Sequence, residues 1–306
     1  MRLLTRSDFD GLVCAVLLVE KNIVNGYKFV HPKDVQDGKI AVTKNDVLAN
    51  VPYVAGCGLW FDHHSSEEER LELEKLDFEG DSRPAPSAAQ VIWDYYGGEK
   101  TFGSRFVPMI DAVNKSDSGN LTQDEILNPT GWILLSFIMD PGTGLGRFKD
   151  YKISNYQLME ELIQHCRTKT VDEILQLPDI LERKNRYFEH LEPFKDMLKK
   201  SCQVRGNVII TNLLNEETIY CGNRFYVYAL YPEQNIEARV MWGKDKQNVV
   251  FTCGYSILNK TSKTNVGKLM LKYGGGGHLM VGTCQVRTED WEWVLEEIVG
   301  QMEKDG

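Results

Sequence analysis

Arg2-Leu3-Leu4-Thr5-Arg6-Ser7-Asp8-Phe9-Asp10-Gly11, continuing through the apolar Leu12-Val13-Cys14-Ala15-Val16-Leu17-Leu18, reads as strand, acidic turn and helix. Asp8 and Asp10 are two residues apart, so in an extended stretch both carboxylates point the same way. Two such groups on one side repel each other unless a cation or a shared proton lies between them. Gly11 would let the backbone turn tightly before the helix. A plainer reading makes Asp10 the cap of a helix from Leu12 onward. One acid explains a cap; two leave one over. Outward from here the alternation continues, with strands expected near 27–30, 47–50 and 57–62 and helices near 11–22, 86–97 and 104–114. Such alternation implies a parallel sheet with helices on both faces. Acids at strand ends fit the ligand-binding edge of that sheet.

The fourth strand leads into Phe61-Asp62-His63-His64. A core strand end seldom needs three titratable side chains in a row. A divalent cation does need them, because carboxylate and imidazole suit Mn, Mg, Fe or Zn. A polar strand end is the plain alternative. Ser65 or Ser66 is a plausible N-cap for the charged stretch that follows.

A third stretch, Tyr273-Gly274-Gly275-Gly276-Gly277-His278, lies between an amphipathic helical pattern at 266–271 and a strand pattern at 281–286. Four glycines are costly to order. Inside a domain, side-chain-free backbone can turn several N–H groups onto an anion. His278 would then stand beside that anion as a donor.

These three motifs, in this order, resemble the DHH phosphoesterase superfamily. It includes RecJ-like exonucleases, nano-RNases, phosphoadenosine-phosphate phosphatases, cyclic-dinucleotide phosphodiesterases, exopolyphosphatases and manganese pyrophosphatases. The resemblance is nearest to exopolyphosphatase-related chains. It implies an α/β fold with a doubly wound parallel-sheet DHH domain at 1–153, a helical linker at 154–204, and a smaller mixed α/β DHH-associated domain at 205–306. The glycine loop would face the metals across the cleft between the domains.

Carried over position by position, the resemblance implies Asp8, Asp10, Asn50, His63 and Asp117 as metal ligands. Asp62 and His64 become catalytic residues, the first as a proton acceptor, with Asp8 as the alternative, and the second orienting the site or touching substrate. Gly274, Gly275, Gly276, Gly277 and His278 would bind substrate. Two departures stand out. Leu4 occupies the place of the family's first histidine, and Asn50, at the end of the 46–50 strand, replaces an aspartate. Asp46 is an alternative at the wrong end of that strand, and Asp111 is an alternative to Asp117. One firm Mn2+ (or Mg2+) site and a weaker second are therefore expected. A third departure lies in the C-terminal domain, where Gly254 stands at the position of a phosphate-gripping arginine. Asn259 and Lys260 could serve instead. Arg239 is left between solvent and substrate.

Composition sets the outer limits. The chain has 306 residues, 42% hydrophobic and 26% charged, which describes an ordinary globular protein of two domains. A net charge of −9 argues against long duplex nucleic acid as a partner. Seven cysteines without a CxxC pair read as reduced thiols, and no signal-like apolar core precedes the acids. A cytoplasmic location and no membrane contact are expected; a homodimer is left open. From residue 154 to 204 the apolar residues recur at helical spacing, and beyond it strands are expected at 208–211, 218–220, 224–230 and 249–252. The expected activity is metal-dependent hydrolysis of a small phosphorylated substrate: a short oligonucleotide, phosphoadenosine phosphate, a cyclic dinucleotide or polyphosphate. The alternative is a nucleotide- or phosphate-binding protein of the same fold with impaired catalysis. A dinucleotide-dependent dehydrogenase is disfavoured, because the glycines lack G-x-G-x-x-G spacing at a first strand–helix turn.

Overall fold

Leu3 and Leu4 are both fully buried, which adjacent strand residues achieve only when both faces of their sheet are covered. The computed structural model, which describes residues 1–64 and 77–306, shows that sheet. Strands β1 (Arg2–Thr5), β2 (Gly26–Phe29), β3 (Asp46–Ala49), β4 (Leu59–Asp62) and β5 (Gly80–Ser82) are ordered β2-β1-β3-β4-β5 and all parallel. Leu4, Leu48 and Trp60 meet Val30, Val35 and Val51 in one apolar cluster. Each such side chain contributes roughly 1.5–3 kcal/mol by leaving water. The Phe9–Glu20 helix is buried from Phe9 to Leu18 and packs on helices Ala88–Tyr95, Val107–Asp117 and Asn155–Thr168. That is the fate of a helix that is apolar all round.

Chain direction across the sheet reverses between β1 and β3. At such a switch point the loops leaving the two carboxyl ends diverge and open a crevice. The loop after β1 carries Asp8, the residue after β3 is Asn50, and β4 ends in Asp62 followed by His63. The helix start expected at Ser65 or Ser66 lies outside the described residues.

The chain forms two compact units, Met1–Asn120 with Pro129–Arg186, and Leu121–Asn128 with Tyr187–Gly306. Helix is present across the stretch expected to be a linker, as Asn155–Thr168, Val171–Ile174 and Pro178–Ser201. The boundary between the units falls inside the last of these, so the stretch is divided between them and is not a separate body.

The second unit holds a mixed sheet, β10-β11-β9-β8-β7-β6, from β6 (Cys202–Arg205), β7 (Val208–Asn212), β8 (Ile236–Trp242), β9 (Val249–Tyr255), β10 (Gly276–Gly277) and β11 (Val281–Val286). Ile236, Ala238 and Val240 face helices Val266–Leu271 and Trp291–Asp305 in its core. Two expected strands are absent. Residues 218–220 form no ladder, and 226–230 is a short helix. The run from Phe225 to Leu230 is apolar throughout, so it carries no period to separate strand from helix. Asn223 decides: its Oδ1 accepts the Phe225 N–H at 2.9 Å, which starts a turn. Among the described residues no helix is long and apolar enough to cross a membrane.

Candidate metal centre

Asp8, not Asp10, caps the first helix, accepting the Gly11 N–H at 2.9 Å through Oδ1. Asp8 Oδ2 lies 2.9 Å from Arg6 Nε. The two acids therefore do not share an extended stretch; Asp10 sits within the first helical turn. Gly11 serves close approach rather than a special turn, since a Cβ there would lie 2.0 Å from the Arg6 carbonyl oxygen.

Asp10 is 2% exposed and reaches a second helix N-terminus. Its oxygens accept the Ala88 and Ala89 N–H groups at 2.9 and 2.8 Å, donors that a helix start leaves unpaired. Ser87 caps that helix through Gln90 N–H at 3.0 Å, and its Oγ donates to Asn114 Oδ1 at 2.7 Å. Asn114 lies one turn before Asp117 on the Val107–Asp117 helix. A single loop thus ties both acids to the frame.

The same loop orients His63, whose Nδ1 is 3.1 Å from the Ala85 carbonyl oxygen. A carbonyl only accepts, so Nδ1 carries a proton, and Nε2 is the ring nitrogen left to meet a cation. Nε2 is buried and has no hydrogen-bond partner among the described residues. It points toward Asp117 Oδ2 at 3.3 Å and Asp10 Oδ2 at 3.8 Å. On a neutral ring the Nε2 lone pair is aimed at two carboxylates, which is repulsive unless a cation or a proton lies between them. Ligand atoms about 2.1 Å from one cation lie roughly 3.0–3.4 Å apart at octahedral or tetrahedral angles; the 3.3 Å separation falls in that range and the 3.8 Å one is wider. The carbonyl behind Nδ1 is the usual outer support of a metal-binding histidine.

Asn50 stands next to this group, 1% exposed and in the left-handed region at φ 54°. Its Nδ2 donates to Asp8 Oδ1 at 3.2 Å, which turns Oδ1 away from the carboxylate. That Oδ1 is a second buried atom without a partner among the described residues. Two orphaned acceptors beside three acids are the donor set of a hard divalent cation, and the residues fit one.

Electrostatics agree. Burial, then repulsion from Asp10 and Asp8, pushes the Asp117 carboxyl well above the ordinary carboxylate range. That rise stands although 28% of the Asp117 side chain still meets solvent. Burial also raises Asp8, with Arg6 opposing and Asp10 adding to the rise. Acids held this way take up a proton or a cation.

Asp62 is 1% exposed and lies 2.9 Å from His64 Nδ1. This pair shares His63 as a neighbour, with the two imidazole rings 4.3 Å apart. Leu4 is fully buried in the apolar cluster, so the place of the family's first histidine is packing and holds no ligand. Asp46 is occupied by Arg2 Nε at 2.6 Å and the Thr43 N–H at 2.7 Å, and Asp111 is exposed. Neither joins the group of Asp10, His63 and Asp117, whose ligand atoms all lie within 4.8 Å of one another.

A solved structure described as a pGpG-specific phosphodiesterase, PggH, from Vibrio cholerae matches with a TM-score of 0.86 and 49% identity, covering 100% of this chain and 99% of that one. The chain belongs to the DHH phosphoesterase superfamily. Two more distant structures share its fold. A DHH domain of a member of the s1p family of ribosomal proteins has a TM-score of 0.55 at 11% identity, over 99% of this chain and 86% of that one. An exopolyphosphatase-related protein from Bacteroides fragilis has a TM-score of 0.51 at 13% identity, over 99% and 92%. No protein-family model and no curated protein sequence matches. As a DHH phosphoesterase, the chain is a metal-dependent hydrolase.

The glycine loop of this DHH protein differs from expectation. Gly274 takes φ +74° and its N–H bonds the Leu271 carbonyl at 3.1 Å, while the Gly275 N–H bonds the Met270 carbonyl at 3.1 Å. These bonds close the Val266–Leu271 helix as a Schellman-type end. The His278 N–H bonds the Val281 carbonyl at 2.7 Å. Three of the five amides expected to cradle an anion are thus already paired. Packing accounts for the other glycine demands: a Cβ would lie 2.1 Å from the Thr283 oxygen at Gly275 and 2.2 Å from the Val281 oxygen at Gly277. Gly276 faces open space, and the His278 side chain is exposed.

Asn259 is held by Glu233 and Thr261 at 2.9 and 2.7 Å, whereas Lys260 is exposed. Arg239 is mostly buried against Glu237, with Nε to Oε1 at 2.9 Å. The DHH motif reading missed the supporting loop at Ala85–Ala89. The Ser-x-x-Gln spacing at Ser87–Gln90 marked a cap, but a backbone carbonyl aimed at His63 leaves no trace in residue identity.

Proposed function

We propose that this chain is a divalent-metal phosphodiesterase that cleaves the linear dinucleotide pGpG into two GMP, with Mn2+ as its working ion. The observation that carries the reading is the orphaned His63 Nε2 facing Asp10 and Asp117. The likeness at 49% identity to a protein described as pGpG-specific supports the choice of substrate.

Asp10, His63 and Asp117 would hold the cation, with Asn50 Oδ1 as a neutral fourth donor. Bound there, a divalent ion polarises a phosphoryl oxygen and makes water more acidic. The protein's own part is orientation and proton traffic. The Ala85 carbonyl accepts from His63 Nδ1 and so leaves Nε2 as the nitrogen turned to the cation. Asp62 accepts the His64 Nδ1–H, so His64 Nε2 is the atom free to exchange a proton, as in other acid-oriented histidines. Water forms the new P–O bond, the bond to the 3′ oxygen breaks, and that oxygen takes a proton. Asp62, already bonded to His64, acts through it and is not itself the acceptor.

A second reading, a guanine-nucleotide binder with impaired turnover, is favoured by Leu4 and Asn50, which remove a histidine and a charge from the family's first metal set. The deciding experiment measures GMP release from pGpG with Mn2+, alongside pApA, phosphoadenosine phosphate, cyclic dinucleotides and polyphosphate. Fast pGpG cleavage that disappears in His63→Ala supports the phosphodiesterase. Metal binding with no hydrolysis of any of these would leave the binder.

A further inference from the structure

The acids of the metal centre are not equally open. Asp8 has both oxygens engaged: Oδ1 accepts the Gly11 N–H at 2.9 Å and the Asn50 Nδ2–H at 3.2 Å, and Oδ2 lies 2.9 Å from Arg6 Nε. The group of Asp10, His63 and Asp117 that could hold a cation does not include it. Of the family's first metal set, Leu4 is packed in the apolar cluster and Asn50 carries no charge. Asp8 is thus the acid left at that position, and the positive charge beside it is the Arg6 guanidinium.

The chain holds Arg6 in place. It follows directly on β1, and Gly11 packs so closely on its carbonyl that a Cβ would lie 2.0 Å from the oxygen. Arginine carries five N–H donors in a rigid fork. Among the described residues Asp8 is the only side-chain partner of Arg6, met through Nε alone. The Arg6 side chain is 39% exposed, so its unused donors are within reach of a ligand. Its charge acts on Asp117 as well as on Asp8, opposing the rise of both carboxyls. The guanidinium therefore belongs to the electrostatics of the centre.

Phosphate is the ligand that such a fork suits, because two parallel N–H groups match two of its oxygens. Two-metal sites place positive charge on both sides of a phosphate in displacement. An ion on Asp10, His63 and Asp117 together with a guanidinium on Asp8 supplies two positive centres with only one exchangeable metal. We propose that the centre works with a single metal ion and that Arg6 takes the place of the second cation, its guanidinium gripping a non-bridging oxygen of the phosphate under attack. Arg6 stays protonated throughout and moves no proton. The inference rests on the phosphodiesterase reading for which phosphate that is.

Calorimetry and kinetics of the full chain test it. With GMP present, Mn2+ should bind wild type at one per chain. Arg6→Gln keeps a donor for Asp8 and removes the charge. Its Mn2+ affinity should hold or rise, because a like charge has left the site. Its GMP affinity at saturating Mn2+ should fall about tenfold or more, the scale of one charge-assisted hydrogen bond. Its kcat on pGpG should fall about a hundredfold, as for one lost donor to transition-state charge. Arg6→Lys restores the charge without the fork and should recover only part of kcat. A guanidinium that merely steadied Asp8 would instead weaken Mn2+ binding and leave GMP affinity in place. That pattern, or two Mn2+ per wild-type chain, overturns the proposal. Circular dichroism checks that each variant folds, and the wild-type stoichiometry needs no variant. Arg6-dependent GMP binding without pGpG hydrolysis by wild type would overturn the phosphodiesterase reading alone. Hydrolysis of pGpG undiminished in Arg6→Gln would overturn the role of Arg6 alone.

Discussion

Two stretches of this chain announce a ligand site in residue identity, the carboxyl edge of the parallel sheet and the four-glycine run, and their physical states are opposite. At the sheet edge, His63 Nε2 and Asn50 Oδ1 are buried without partners among the described residues. At the glycine run, the amides of Gly274, Gly275 and His278 are all paired within the second unit. A buried acceptor left unpaired costs free energy, about 1–3 kcal/mol, so it persists where a ligand completes it. Paired amides need no ligand to be stable. The contrast teaches that a motif marks where ligand chemistry is feasible, and that satisfaction of its polar atoms tells which part waits for the ligand.

The largest test of this contrast is His63→Ala. Loss of a metal ligand should lower pGpG turnover by about a thousandfold or more, since the cation supplies several kcal/mol of transition-state stabilisation. Calorimetric Mn2+ titration of the same variant should show weakened binding. Retention of a tenth of the activity would remove His63 from the centre.

Asn50→Asp sharpens the same edge. The new carboxylate loses the bond to Asp8 and adds charge beside it. Without metal, stability should fall by about 1–3 kcal/mol in urea unfolding, and saturating Mn2+ should recover it. A variant equally destabilised with and without Mn2+ would place Asn50 outside the metal's reach.

Gly275→Ala probes the other region. Its Cβ would meet the Thr283 oxygen at 2.1 Å, so overpacking should cost about 1–3 kcal/mol. Mn2+ affinity should not change, because the glycine's demand is packing. Unaltered stability would show that this glycine is kept for a ligand instead.

The smallest effect belongs to His278→Ala. If the exposed imidazole meets only bound substrate, its loss should raise KM a few-fold and leave kcat in place, the signature of uniform binding. A matching fall in kcat would move His278 into the chemical step.

Much of the first unit was legible because its signals are local. An apolar run that ends in acids and resumes as an apolar helix can satisfy burial in few other ways, and β1 with the Phe9–Glu20 helix follows that pattern. The second unit was less legible. Residues 224–230 have no periodicity, and an Asn223 side chain decided their conformation. Asp8 and Asp10 were both recognisable as unusual, yet which one caps the helix depends on Ala88 and Ala89, nearly eighty residues away, whose N–H groups claim Asp10.

The sequence by itself determined the order of motifs, the α/β alternation, the superfamily and the two departures from the family pattern at Leu4 and Asn50. Those are properties of residue type and spacing along one dimension. Only the tertiary structure decided that the Ala85 carbonyl turns His63 Nε2 toward Asp10 and Asp117, that the amides of Gly274, Gly275 and His278 are already paired, and that Arg183 holds the Asn155 oxygen. Each of these depends on a backbone group or a distant partner. Backbone N–H and C=O are the same in every residue that carries them, so where they point is settled by packing and leaves no mark in the order of side chains.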